Sequence, residues 1–151
     1  MPPEKSSPDS ESRLHKISLA YPGHALKPED ILDFIELPPF TRRWDQMGLD
    51  VEEDLLALQV MIMADPEGGE LITGTGGLRK MRFAPARWNT GKSGAARVMY
   101  AYFRDFGVVL LCVAHGKNEV ETISKAVRNY LAKLIGETER ELHRLKTIRL
   151  G

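Results

Sequence analysis

Basic side chains are concentrated in one stretch of the sequence, residues 71–104, which contains seven Lys and Arg residues and no Asp or Glu. The flanking charges differ: residues 1–70 carry 6 basic and 15 acidic side chains, and residues 105–151 carry 8 and 6. Seven cations without an anion in a glycine-rich stretch are typical of a surface that binds phosphate groups. A solvated basic surface without a ligand is the alternative interpretation.

Two of these cations, Lys80 and Arg82, are separated by one residue in a segment whose alternation predicts a strand. Side chains two positions apart project from the same face of a strand, so both can reach one phosphate while Met81 and Phe83 point the other way. Arg97 lies on the next predicted strand and can complete the cluster. Because the guanidinium fork suits two phosphate oxygens at once, Arg82 and Arg97 are the strongest candidates for stabilising a charged phosphate.

The same stretch contains a motif of another class, residues 86–93 (ARWNTGKS), which satisfies a relaxed phosphate-loop pattern. A phosphate loop leads into a helix whose N–H groups hold the phosphate, yet residues 94–104 have the composition of a strand. A phosphate loop also requires a magnesium-binding acid after an apolar strand. Here the apolar segment VVLLCVA is followed by His115 and Gly116, not by an Asp. These features argue against a nucleotide triphosphatase.

Length and composition predict one globular domain, since the chain has 151 residues of which 42% are apolar. No apolar run is long enough for a membrane helix, and the N-terminus lacks the apolar core of a signal peptide, so we expect a soluble cytoplasmic protein without a membrane partner. The single cysteine, Cys112, lies in an apolar run and is expected to pack as a small hydrophobic residue.

Helices are predicted on both sides of the basic stretch. Asp50 is a plausible N-cap, with Glu53 completing a capping box, for a helix over residues 51–64. Residues 40–47 form one helical turn or two, and a second long helix runs over residues 119–145, with Gly136 as a candidate break. One apolar stripe of the first long helix is expected to be buried: Val51, Leu55, Leu58, Met61 and Ile62. The second long helix is expected to have an apolar face formed by Ile123, Val127, Tyr130, Leu131, Leu134 and Ile135.

Three strands are predicted between these helices, over residues 78–83, 96–104 and 108–114. The last is continuously apolar, in the manner of a central strand covered on both faces. Residues 104–107 (RDFG) form a tight hairpin, so the strands that flank it should be antiparallel. Residues 14–33 carry no clear signal. Long helices around a short antiparallel sheet indicate an α+β domain.

The central segments resemble those of RelE/HigB-type toxins, members of the RelE/ParE superfamily of type II toxin-antitoxin systems. Residues 74–83 (GTGGLRKMRF) resemble the family's glycine-rich turn and basic strand, and residues 91–100 (GKSGAARVMY) its Gly-Lys-Ser-Gly loop and arginine strand. The similarity begins at residue 34 and includes LPPF at 37–40 and GKNE at 116–119. It implies a sheet of three to four antiparallel strands against two or three helices, spanning residues 34–136. Residues 1–33 are then an N-terminal extension, partly disordered, and residues 137–151 a C-terminal helical extension.

This resemblance implies a ribosome-dependent mRNA endonuclease that inhibits translation, with the ribosome and mRNA as partners. A cognate antitoxin, expected to be a helix-turn-helix protein, would hold it in check. Cleavage in the family proceeds by attack of the ribose 2′-hydroxyl, so no metal and no other cofactor is expected. By motif position the catalytic residues carry over to Lys80, Arg82, Arg97 and Lys117.

The sequence departs from the family pattern after Lys117, where known members have a tyrosine and a further arginine. Here the chain reads Asn118, Glu119 and Val120, so proton transfer and base stacking fall to another group such as His115 or Tyr102, or else the activity is weaker or differently specific. A lysine could act as general acid or base only if neighbouring cations lower its pKa, as a cluster of Lys80, Arg82 and Arg97 would. Further contacts to the RNA backbone are predicted for other cations of the basic stretch, for which exposed positions without a ligand are the alternative: Arg79, Arg87 and Lys92.

Aromatic side chains of the stretch have two interpretations, base stacking or a place in the core. Core packing is favoured for Tyr100, whereas both interpretations remain open for Trp88. For His115, an ordinary hydrogen-bonded histidine at a strand end is the simpler alternative to a catalyst.

Two other functions agree with the same fold. A ParE-like toxin binds DNA gyrase and cuts nothing, but it needs no convergent cluster of cations. A catalytically weak RNA-binding relative would keep the phosphate-binding cations without the proton-transfer group.

Overall fold

The computed structural model describes residues 26–88, 94–116 and 124–150, which form a five-stranded mixed sheet with helices on both faces. The elements in chain order are β1 (Asp33–Glu36), α1 (Pro38–Gln46), α2 (Glu53–Ala64), β2 (Glu70–Leu71), β3 (Leu78–Phe83), β4 (Ala96–Phe103), β5 (Val108–His115) and α3 (Lys125–Leu150). Short 3₁₀ turns lie at Pro28–Asp30, Ala86–Trp88 and Arg104–Phe106.

The strands are arranged in the order β1-β5-β4-β3-β2, with β1 parallel to β5 and every other pair antiparallel. The predicted α+β class and the three predicted strands are therefore confirmed, but the predicted number of three to four strands is too small. The two additional strands have only four and two residues and are largely exposed, so they lack the apolar alternation by which a strand is recognised.

The β4–β5 hairpin is confirmed, and its turn is a single 3₁₀ turn that ends at Gly107. Gly107 has a φ of 65°, in the left-handed region that favours glycine. The β4–β5 register has a bulge between Met99 and Tyr100. Met99 pairs with Val113 and Tyr100 with Leu111, so Cys112 lies opposite neither of them. Cys112 is 1% exposed and its pKa is raised to about 12 by burial, which confirms its place in the core.

One face of the sheet is covered by α1 and α2. Phe40 stacks on Trp44 at a ring distance of 5.3 Å, and Trp44 stacks on Phe83 of β3 at 5.6 Å. The Trp44 indole also donates to the Asp50 carbonyl at 2.8 Å, so the polar edge of this buried ring is satisfied. These aromatic contacts join α1 to the sheet and to the start of α2.

The N-terminus of α2 is capped by Asp50, as predicted, but its capping partner differs from the prediction. The Asp50 carboxylate accepts hydrogen bonds from the N–H groups of Glu52, Glu53 and Asp54. In return the Asp50 N–H donates to the carboxylate of Asp54 at 2.9 Å, not to Glu53. The reciprocal pair is thus Asp50–Asp54, because Asp54 faces the protein interior whereas Glu53 is exposed.

The predicted stripe of α2 is partly wrong. Leu55, Leu58 and Ile62 are buried, but Val51 and Met61 are 66% and 36% exposed. Val51 precedes the helix, and the buried face instead broadens to include Val60 and Met63, against which the segment before β1 packs.

The other face of the sheet is covered by α3, through Leu131 and Ile135. Gly136 lies inside α3 and does not interrupt it, because the packing of Ile135 holds the helix on the sheet; the predicted break is wrong. Val127 and Tyr130, predicted on the apolar face, are largely exposed. The predicted start of this helix at residue 119 and the position of Ile123 lie outside the described residues. None of the helices described is long and apolar enough to cross a bilayer.

Candidate phosphate-binding site

Three nitrogen-bearing side chains are aligned across the central strands. Arg82 of β3 is the direct register partner of Arg97 of β4, and Arg97 is in turn the partner of His115 at the end of β5. Directly opposite residues in antiparallel strands share a face, so these side chains form one row on the sheet. The sequence predicted the pair of arginines, and the register adds His115.

Lys80 belongs to the same face as this row. It lies two residues before Arg82 and is the register partner of Met99, which packs against α3. Met81 and Phe83 pack into the opposite core, against α1 and α2, as the alternation predicts. The basic cluster formed by Lys80, Arg82 and Arg97 therefore occupies the α3 side of the sheet.

The three cations differ in exposure. Arg82 is exposed and Lys80 is half-buried, whereas Arg97 is 6% exposed and donates from Nη1 to the Ala95 carbonyl. The bond to Ala95 holds one end of the guanidinium in place, and Arg97 has a further interaction as well. Neither Lys80 nor Arg82 forms an ion pair with any residue that the structure describes. An anion approaching from solvent would thus meet Arg82 and Lys80 before Arg97.

His115 is 8% exposed and its Nδ1 lies 3.1 Å from the carbonyl oxygen of Gly116. In a neutral imidazole the nitrogen that faces a carbonyl oxygen carries the proton, which leaves Nε2 as an acceptor. Nε2 is shielded from water and has no hydrogen-bond partner within the described parts of the chain. Nε2 is thus a buried nitrogen without a partner in the described residues, on the register partner of Arg97, and such unpaired groups are uncommon in folded proteins.

Tyr102, the other side chain considered for proton transfer, is remote from this row. It lies five residues beyond Arg97 along β4 and packs with the core on the α1 and α2 side. Tyr100 is also a core residue, as predicted: its hydroxyl donates to the Pro66 carbonyl at 2.9 Å and accepts from the Gly69 N–H at 3.1 Å. Burial raises the pKa of Tyr100. Trp88 packs partly buried against the same core.

Two cations predicted to contact RNA are engaged in the fold. Arg79 faces away from Lys80 and donates to the carbonyls of Glu67 and Gly69, both at 2.9 Å. It thereby fixes the turn that connects α2 to β2, on the side of the sheet opposite the basic cluster.

Arg87 forms a two-point ion pair with the Asp54 carboxylate, with N–O distances of 2.6 and 2.7 Å, and also donates to the Gly48 carbonyl. The hydrogen bond from Arg87 holds the pKa of Asp54 below its ordinary value. Arg87 therefore ties the loop after β3 to the start of α2.

Lys92 and Lys117 lie outside the described residues, and their predicted roles stay predictions. In the part of the chain that the structure describes, no cluster of three His, Cys, Asp or Glu side chains is placed to hold a metal ion.

The glycine-rich turn before β3 has a conformational explanation. Gly74, Gly76 and Gly77 all have positive φ values, which glycine adopts without strain. Between them, the buried Thr75 hydroxyl donates to the Ile72 carbonyl at 2.6 Å and accepts from the Leu78 N–H at 3.0 Å. The turn thus sets the start of β3, and with it the face on which Lys80 and Arg82 emerge.

One cation near this face was not identified from the sequence. Arg128 of α3 lies three residues before Leu131 and seven before Ile135, a spacing that puts it on the helix face that packs on the sheet. The sequence signal that could have identified Arg128 is its position as a cation within the apolar stripe of α3. The Ser124 hydroxyl accepts from the Val127 N–H and so caps the helix turn from which Arg128 projects.

No protein-family model matches the sequence. Among solved structures, the chain is similar to the E. coli toxin RelE, in a variant with two arginines replaced by alanine and in the free state. The two sequences are 17% identical, the match covers 65% of this chain and 96% of that chain, and the TM-score is 0.47.

Proposed function

We propose that this protein is the toxin of a type II toxin-antitoxin pair and acts as a ribosome-dependent mRNA endonuclease. The observation that carries the proposal is the row of Arg82, Arg97 and His115, with Lys80 beside it, on one sheet face. A gyrase-binding toxin has no need for such convergent cations. The motif resemblance in residues 74–100 and 116–119 supports the same function.

In the proposed reaction the ribose 2′-hydroxyl oxygen forms a bond to the adjacent phosphorus, and the bond from phosphorus to the 5′-oxygen breaks. The leaving 5′-oxygen takes a proton from solvent water, and the proton accepted from the 2′-hydroxyl is returned to water. The products are therefore a 2′,3′-cyclic phosphate and a free 5′-hydroxyl. Negative charge builds on the phosphate oxygens in the transition state, where Arg97 stabilises it from a guanidinium held by the Ala95 carbonyl and Arg82 from the exposed edge of the row. Lys80, on the same face, holds the incoming backbone.

The 2′-hydroxyl proton needs an acceptor, and we assign that role to His115. Among the described residues its Nε2 has no hydrogen-bond partner, and His115 is the register partner of Arg97. The family tyrosine that would otherwise take the proton is missing from this sequence. Because Nε2 is shielded from solvent in the RNA-free protein, binding of the message must expose this nitrogen to the 2′-hydroxyl. Tyr102 has no part in the proposed mechanism, since it lies on the other face.

Residues 34–136 are proposed as the toxin unit, with 1–33 and 137–151 as extensions. The proposed antitoxin is a helix-turn-helix protein with an acidic segment that covers the basic cluster. Such an association would weaken as salt rises, because the contacts join exposed opposite charges. Lys117 and Lys92 are proposed as further contacts to the message. Arg79 and Arg87 are assigned no RNA contact, because their side chains bind other groups of the protein.

The proposal is tested with purified ribosomes that carry a defined message in the decoding centre. We expect the protein to cut the message at one position, detected by primer extension, and to leave the same message intact when ribosomes are omitted. Inhibition of DNA gyrase supercoiling without any cut in the message would instead establish the gyrase-binding alternative.

A further inference from the structure

We propose that Arg128 is a fourth cation of the message-binding surface and binds a backbone phosphate next to the one held by Arg82 and Arg97. The identity of this ligand as RNA rests on the proposed function. Arg128 is half-buried, and its Nε is shielded from solvent without a hydrogen-bond partner among the residues the structure describes. No described side chain forms an ion pair with it either.

The position of Arg128 follows from the packing of α3. Leu131 and Ile135 contact the sheet through a cluster that includes Met99 and Ala101. Ile135 also lines a cavity of about 300 Å³ beside residues 101–106, at the hairpin end of the sheet. Arg128 is two turns earlier on the same helix face, about 10 Å away along the axis.

The direction of α3 brings Arg128 toward the basic cluster. Further along the helix, His143 contacts the ring of Phe106 in the hairpin at 4.8 Å, so the C-terminal half of α3 lies at the hairpin end. Moving toward the N-terminus of α3 therefore means moving away from the hairpin, along β4 toward Arg97. The distance along β4 from Ala101 to Arg97 is about 13 Å. This is comparable with the distance of about 10 Å along α3 from Ile135 to Arg128.

The energetics of this position favour a role in binding. A buried donor without a partner destabilises a fold, and an apolar side chain would suit the stripe formed with Leu131 and Ile135 better. Lys80, Arg82 and Arg97 emerge on the sheet face that α3 covers and carry the same sign of charge as Arg128, so an anion is the ligand that would satisfy it. A phosphodiester backbone supplies several such anions at regular spacing, and single-stranded RNA binds along cationic surfaces in this way.

The test compares RNA binding by the wild type, Arg128→Gln and Arg128→Lys. The probe is a short fluorescent RNA that is 2′-O-methylated throughout and so cannot be cleaved, and its binding is measured by anisotropy over a range of salt concentrations. The matched control is Lys133→Gln, which removes a charge from the exposed, opposite face of α3. Each variant is checked for its melting temperature.

We expect Arg128→Gln to weaken binding roughly tenfold and to reduce the slope of log affinity against log salt by about 0.7, the value of one phosphate contact to a single strand. Arg128→Lys should retain the slope and Lys133→Gln should match the wild type. The melting temperature of Arg128→Gln should be no lower than that of the wild type. If Arg128 had only a structural role, its replacement would lower the melting temperature.

An unchanged slope in Arg128→Gln, or a wild type that does not bind the RNA, would overturn the assignment of Arg128. An equal loss of affinity for polyglutamate would also overturn it, because Arg128 would then serve any anionic chain, such as an acidic peptide. The proposed cleavage is judged separately on ribosomes. If the wild-type protein never cuts the message, but the Arg128→Gln substitution still reduces the salt dependence of RNA binding, the endonuclease activity is refuted and the phosphate contact of Arg128 is retained.

Discussion

Arg82 and Arg97 face each other as direct partners across β3 and β4, although like charges in this arrangement destabilise a sheet. The penalty is on the order of 0.2–1 kcal/mol in such pairs. A phosphate bound between the two guanidinium groups would turn their repulsion into a shared attraction. The pair is therefore better suited to binding an anion than to stabilising the fold.

We predict that Arg82→Ala leaves the protein at least as stable as the wild type while reducing message cleavage by about 10²- to 10³-fold, the effect of losing one fixed donor. Arg97→Lys should reduce it as well, since lysine keeps the charge without the two-point fork. Growth after induction and cleavage on ribosomes provide the measurements. Arg104→Ala, at the exposed hairpin, is the matched control, and equal effects of Arg104→Ala and Arg82→Ala would contradict the site.

The chemistry of the cut can be tested on the substrate alone. A message with one 2′-deoxy nucleotide on the 5′ side of the cut should resist cleavage at that position, because the proposed nucleophile is missing. The unmodified message should leave a 2′,3′-cyclic phosphate, identified by mass spectrometry of the short product. If the deoxy message is cut at the same position, the 2′-hydroxyl is not the nucleophile.

Asp54 should contribute to stability at neutral pH through its bonds to Arg87 and to the Asp50 N–H. We expect Asp54→Ala to lower the free energy of unfolding by about 1–3 kcal/mol, measured by urea denaturation. Because the hydrogen bond from Arg87 lowers the pKa of Asp54 in the folded state, this contribution is complete above the carboxyl's unfolded value. It is lost as the pH falls through the folded value.

The difference between Asp54→Ala and the wild type should therefore narrow in acid. Glu53→Ala is the control for this position, since Glu53 is exposed and was the capping partner that the sequence suggested. Equal destabilisation by the two substitutions would show that the Asp54 ion pair adds nothing beyond ordinary capping.

Tyr100→Phe removes one hydroxyl that joins the Pro66 carbonyl to the Gly69 N–H. We expect a loss of about 1–3 kcal/mol in unfolding free energy, because two polar groups of the turn lose their partner. Cleavage on ribosomes should persist, since Tyr100 faces away from the basic cluster. Tyr102→Phe, which alters a neighbouring hydroxyl on the same side, serves as the comparison, and a Tyr100→Phe protein as stable as the wild type would refute the role of this hydroxyl.

Cys112 should be inert to thiol reagents in the native protein. Its pKa is raised to about 12 by burial, so almost no thiolate is present at neutral pH, and reagents cannot reach it. Labelling should proceed only as fast as the protein unfolds and should accelerate in urea. Rapid stoichiometric labelling in native buffer would mean that β5 is not buried as described.

Much of the fold was predictable because its signals are local. The continuous apolar run of β5, the hairpin at Arg104–Phe106 and the cap at Asp50 depend on neighbours in sequence, and they appear where the pattern indicates. The alternation in β3 likewise separates Lys80 and Arg82 from Met81 and Phe83 without knowledge of any other strand.

What the sequence determined by itself was the composition of the basic stretch and the face of β3 on which its cations emerge, because alternation is a property of one strand. Only the tertiary structure decided that Arg82, Arg97 and His115 share a row, because the alternation within one strand does not give the β3–β4 register or the bulge in the β4–β5 register. It also decided that Arg87 meets Asp54 and that Arg128 turns toward the sheet. The Arg87–Asp54 ion pair joins residues 33 positions apart. No local pattern encodes which of several cations meets a carboxylate and which has none among the described residues.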